Sequence, residues 1–147
     1  MSTGTPRTTA LNPSHFIDLV EHLVNNNMIR NEVCVRRMIS ALYFCLFNYW
    51  VAKRYEIDGV RGKGPRQDYF YFRLFHEYLL KRKLDKELIL LYTLRTAVDH
   101  YMLNPTIIEV QNKELRRIIS KRRIEVSISI EKLKKAIMFS RRILEHI

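Results

Sequence analysis

Residues 38–52 read MISALYFCLFNYWVA, a run without a single charge in which only Ser40 and Asn48 are strongly polar. Wound as a helix, such a run is apolar on nearly every face, and a helix of that kind is stable only when other helices surround it. It is too short for a bilayer core, which takes about 20 apolar residues. The decisive element is therefore a central helix of a helical bundle. Upstream, Asn31 offers a cap and Glu32 suits the first turn. The spacing predicts a second helix from about residue 32 to Tyr55, with Arg36 and Arg37 on its first turns.

The rest of the chain agrees with helices. It has 147 residues, 47% apolar, with only 4 Gly and 4 Pro, fewer turn-formers than an all-β domain uses. That length fits one domain. Residues 1–11 are Ser/Thr-rich and read as a disordered tail without a leader's apolar core, and residues 12–147 as one domain. Asn12-Pro13 opens a first helix to about Met28, with Phe16, Leu19, Val20 and Leu23 at helical spacing. Residues 56–67 hold three of the four glycines with Arg61, Lys63 and Arg66, a basic loop without a phosphate-loop pattern. Asp68 caps a third helix, about 69–82, rich in Tyr and Phe. Such a cluster serves as core or interface, or stacks on nucleotide bases.

Asp85 caps a fourth helix, about 86–103, with Leu88, Leu91, Val98 and Met102 as its seam, and Asn104-Pro105 ends it. Thr106 to Glu109 has capping-box spacing, which opens a helix over about 107–123; Ile107, Ile108 and Val110 suit a short strand instead. A last helix carries Ile130, Leu133, Ile137, Leu144 and Ile147. The expected fold is all-α: an up-and-down bundle of four main helices plus one or two short ones.

Charge sets the class of partner. Lys and Arg number 26 against 15 Asp and Glu, and 26 − 15 gives +11. Residues 113–142 alone hold eleven basic and three acidic side chains, net +8. Fields of this sign attract polyanions, nucleic acid first among them. Cys34 and Cys45 lie eleven apart on one helix, roughly 16 Å by helical rise, too far for a disulfide. They read as small core residues in a reducing compartment, which places the protein in the cytoplasm. His15 and His22 are two turns apart and cannot share a metal, and no His-Glu-x-x-His or Cys-x-x-Cys occurs. His15, His22, His76 and His146 read as surface or partly buried. No metal and no cofactor is expected.

The stretch Leu94-Arg95-Thr96-Ala97-Val98-Asp99-His100-Tyr101-Met102 carries the one candidate for chemistry. Arg95 falls on the apolar seam, where an unpaired charge costs several kcal/mol. Its compensation is either Asp99, one turn on, or a second subunit or anionic ligand.

Here the chain resembles the HEPN superfamily of helical bundles, through Arg95-x4-His100 on a late helix. The Arg36-Arg37 to Tyr49 stretch agrees: a basic start leading into a Tyr/Phe-rich run, as in the family's second helix. Helix order agrees too, over roughly residues 13–147. Asn48 stands where many members have His, and Tyr101 follows the motif His directly, where toxin members carry Tyr two residues on. The resemblance implies a metal-independent endoribonuclease of the toxin or defence type. Arg95 and His100 would be catalytic, with Thr96, Asp99 and Tyr101 supporting. It also implies a homodimeric composite site and, for toxins, a nucleotidyltransferase-type antitoxin. The alternative is a non-catalytic HEPN module that binds nucleotide, RNA or a protein. For RNA the basic candidates are Arg36, Arg37, Arg61, Lys63, Arg66, Arg116, Arg117, Arg122 and Arg123. Five residues along a helix is about 140° around it, so Arg95 and His100 of one chain diverge and a two-fold partner is expected.

Overall fold

The computed structural model describes residues 11–58 and 68–147, and the side chains of residues 11–54 and 71–147. Residues 1–10 and Arg61, Lys63 and Arg66 of the expected basic loop lie outside the described residues.

Two helices form where their caps predict. Helix α1 (Pro13–Asn25) starts on Asn12, whose side chain accepts from the Ser14 amide at 3.0 Å. It stops short of Met28 because Asn26 and Asn27 leave helical angles, Asn27 at φ 53. Helix α2 (Glu32–Asp58) starts on Asn31, which accepts from the Cys34 amide at 2.9 Å, and runs one turn past Tyr55. Helix α3 (Asp68–Lys81) and helix α4 (Asp85–His100) follow. Asp85 is not the cap of α4: Leu84 occupies that position without a side-chain bond, and Asp85 sits in the first turn. There its charge still favours the positive helix end.

The helical bundle also carries a small two-stranded sheet. Residues 107–123 do not form one helix, and the short strand that suits Ile107 and Ile108 forms instead. Strand β1 (Thr106–Glu109) pairs antiparallel with strand β2 (Arg123–Val126), with Thr106 opposite Val126 and Ile108 opposite Ile124. The short helix α5 (Lys113–Ile119) stands between them. The reason is period. Thr106 and Ile108 are buried while Ile107 is exposed, an alternation that a strand satisfies and a helix does not. Thr106 is the first residue of β1 and not a helix cap. Instead Asn104 pins the strand ends: its amide nitrogen donates to the Ile128 carbonyl and its oxygen accepts from the Ile128 amide, both at 2.8 Å. Asn112 caps α5, accepting from the Glu114 and Leu115 amides, and Ser120 closes it at φ 61.

Helix α6 (Ile130–Leu144) starts on Ser129, which accepts from the Lys132 amide at 3.2 Å. Its Arg141 reaches back to α1, 2.8 Å from Asp18 and 3.3 Å from Glu21.

The buried apolar side chains described, apart from Phe139, form one cluster. Helix α2 packs against α1, α3, α4 and α6, the central place its apolar run requires. Ile39, Leu42, Tyr43, Leu46, Phe47 and Trp50 are all buried, each contributing about 1.5–3 kcal/mol of burial. The α3 aromatics described are largely core: Phe72 stacks on Phe47 with centroids 4.0 Å apart, and Phe75 lies 5.5 Å from Trp50. Met102, expected on the α4 seam, is 92% exposed because the helix ends before it. No described helix is long and apolar enough to cross a membrane.

Candidate functional site

Arg95 enters the bundle between α2 and α3. Its guanidinium carbon lies 5.1 Å from the Tyr43 ring centroid, 5.4 Å from Phe44 and 5.5 Å from Phe72. Three aromatic faces suit a cation and replace part of its lost hydration. The nearer of the two expected compensations is present. Asp99 stands 3.7 Å from Nε, close enough to pair electrostatically and too far to bond, so Nε is buried without an acceptor. The side chain keeps 17% of its surface open. Thr96, beside it, is buried, while Asp99 and His100 are exposed. Arg95 and His100 of one chain therefore do not meet: one faces the aromatic interior, the other solvent.

The last turn of α4 is held by a residue assigned above to RNA. Arg36 donates to the carbonyls of Ala97, Val98 and Tyr101 at 3.3, 3.4 and 2.5 Å, and to those of Met102 and Leu103 at 3.3 and 3.2 Å. Its Nε meets Glu32 at 3.3 Å. A guanidinium in this place satisfies the orphan carbonyls of the helix end and opposes its negative dipole. Arg36 is thus engaged with the backbone. Asn104 donates to the same Glu32 carboxylate, which holds its pKa below the ordinary carboxylate value.

Tyr101 leaves the helix in extended conformation, and its hydroxyl accepts from the Glu109 amide at 3.2 Å. It shares a polar hollow of about 350 Å3 with Glu109 and Arg123. Arg122 pairs with Glu109 at 2.9 Å, and Arg116 Nε donates to the Val110 carbonyl at 2.9 Å. Arg37, Arg117 and Arg123 are exposed with no ion pair among the described residues. Among the described residues no three His, Cys, Asp or Glu side chains converge as metal ligands do. Cys34 and Cys45 are free and half-buried rather than fully in the core.

The interior holds a group that the sequence reading placed at or near the surface. His76 is 5% exposed. Its Nε2 lies 2.6 Å from the Tyr43 hydroxyl, and its Nδ1 3.4 Å from the Asn112 amide nitrogen. The Asn112 oxygen is occupied by two α5 amides, so its nitrogen faces the ring. That arrangement assigns the proton to Nε2, donating to Tyr43. Burial first, then the Arg95 charge, lower the His76 pKa to about 4. Burial raises the Tyr43 pKa. A signal existed in the sequence: Phe72, His76 and Leu79 share one helical stripe, which puts the ring on the packed face.

Comparison of the chain with protein families, with curated proteins and with solved structures returns no match.

Proposed function

We propose that the protein is a metal-independent endoribonuclease of the HEPN type, working as a homodimer through Arg95 and His100. The observation that carries this is the state of Arg95: a cation with an open edge, a carboxylate beyond bonding distance and a buried Nε without an acceptor. A phosphate supplies the acceptors it lacks. His100 stands exposed one residue past Asp99. In this reading the ribose 2′-hydroxyl attacks phosphorus and loses its proton to one His100. The bond to the 5′-oxygen breaks as that oxygen takes a proton from His100 of the second copy. The product is a 2′,3′-cyclic phosphate, and Arg95 offsets charge on the phosphorane.

A second reading has its own support. Arg95 lies deep among three rings, which suits a non-catalytic module that binds RNA or a nucleotide. Cleavage of RNA in EDTA separates the two. The enzyme reading expects a cyclic or 3′-phosphate end, intact DNA, and about 10²–10⁴-fold loss in His100→Ala with the fold unchanged. Wild-type cleavage by that variant, or no cleavage by the native protein, leaves the binding module. Sedimentation at micromolar concentration tests the shared site, since a monomer of 17.7 kDa cannot assemble it.

A further inference from the structure

A cavity of about 400 Å3 opens on the outer face of α2. Phe16, Phe44 and Tyr49 supply rings to its wall; Ala41 and Cys45 leave the hollow between them because they are small; Asn48 is its one amide. Flat apolar walls with one amide and the Tyr49 hydroxyl as polar groups match a nucleobase, which has apolar faces and a polar edge. Aromatic rings that stack on bases and cations that take the phosphates are the parts of a single-strand site.

The cations are in place. Arg37, Ala41, Phe44 and Asn48 lie on one stripe of α2, at helical spacings of four, three and four. Arg37 is exposed at one end of that stripe, without an ion pair among the described residues. Beyond the other end the Lys53 ammonium sits 5.1 Å from the Tyr49 ring centroid. The Arg95 guanidinium is 5.4 Å from the Phe44 centroid. Arg37 and Lys53 therefore flank the hollow along α2, and Arg95 meets the Phe44 ring of its wall.

We infer that this cavity takes one base of single-stranded RNA. The base stacks on Phe44 and Tyr49, Asn48 bonds its edge, and Arg37 and Lys53 hold the neighbouring phosphates. The inference rests on RNA being the ligand of the Arg95 site and adds where the strand is read.

The test uses fluorescein-labelled ten-nucleotide 2′-O-methyl oligoadenylate and oligouridylate, whose blocked 2′-oxygen prevents cleavage, so that binding alone is measured. Ala41→Leu fills the hollow, and Asn48→Leu removes the amide at an exposed position that the fold does not need. Each is expected to weaken binding about ten-fold, equivalent to 1.4 kcal/mol, and Asn48→Leu to narrow the difference between the two oligonucleotides. Bound oligonucleotide should also slow labelling of Cys45 by N-ethylmaleimide. If the native protein binds but both variants bind within two-fold of it, the cavity is not the base site, while RNA cleavage still stands or falls on His100. If the native protein binds neither oligonucleotide, the RNA reading and this inference fall together.

Discussion

Removing Arg36 should loosen the end of α4. Its side chain is 14% exposed and its guanidinium faces five carbonyls. The bonds compete for two terminal nitrogens, so they do not add. The bond to Tyr101 at 2.5 Å and that to Leu103 at 3.2 Å, one from each terminal nitrogen, serve as the effective pair. Hydrogen bonds to a charged group contribute about 1.5–3 kcal/mol each, and water recovers part of this once the pocket opens. Arg36→Ala should therefore cost about 3 kcal/mol. In a domain of this length that lowers the melting temperature by roughly 6–12 °C. Arg36→Lys keeps the charge without the fork and should recover about half. Thermal and urea unfolding followed by helical circular dichroism measure both. If Arg36→Ala melts within about 2 °C of the native protein, solvent serves these carbonyls equally well and the clamp is decorative.

Three further outcomes follow from the same geometry. His76 titrates near 4 in the folded protein against 6.5 ordinarily, so the unfolded chain binds its proton first as pH falls. Stability should then decline from pH 6.5 to 4, by about 3 kcal/mol at full extent, and His76→Gln should lose that dependence; identical pH slopes of the urea midpoints would refute it. Arg95→Met keeps the stem among Tyr43, Phe44 and Phe72 while removing an imperfectly paired charge. It should unfold within about 1 kcal/mol of the native protein or above it, yet lose RNA cleavage; severe unfolding would show that the cation itself holds the rings together. Affinity for single-stranded RNA should fall with salt at a slope of about −0.7 per phosphate contacted, and Arg117→Gln with Arg123→Gln should flatten it; an unchanged slope would leave these arginines as solvated surface.

The central helix was readable from residues 38–52 because fifteen uncharged residues admit few other placements. The caps at Asn12 and Asn31 and the Arg95–Asp99 pair were local features, and local spacing determines them. The hairpin was harder. Thr106 to Val110 satisfies both a capping-box pattern and a strand alternation, and the partner that decides between them, Arg123–Val126, is distant in sequence. The role of Arg36 was hidden for a similar reason: its acceptors lie more than sixty residues away. A guanidinium that binds phosphate and one that binds carbonyls look alike in a sequence. His76 was legible only by following the stripe it shares with Phe72 and Leu79.

The clasp of Arg141 on Asp18 and Glu21 places α6 against α1, and α6 also packs on α2 and α4. The first two helices thus wait for the last before the cover of their apolar faces is complete. Between the end of α2 at Asp58 and the end of α6 at Leu144 lie 144 − 58 = 86 residues. At roughly 5–20 residues per second a ribosome takes about 4–17 s to make them. During that interval the part of the α2 apolar face that α6 covers stays open to solvent. Nascent chains of this protein are accordingly expected to engage holding chaperones, and a truncation that removes α6 should yield aggregates in place of a smaller bundle.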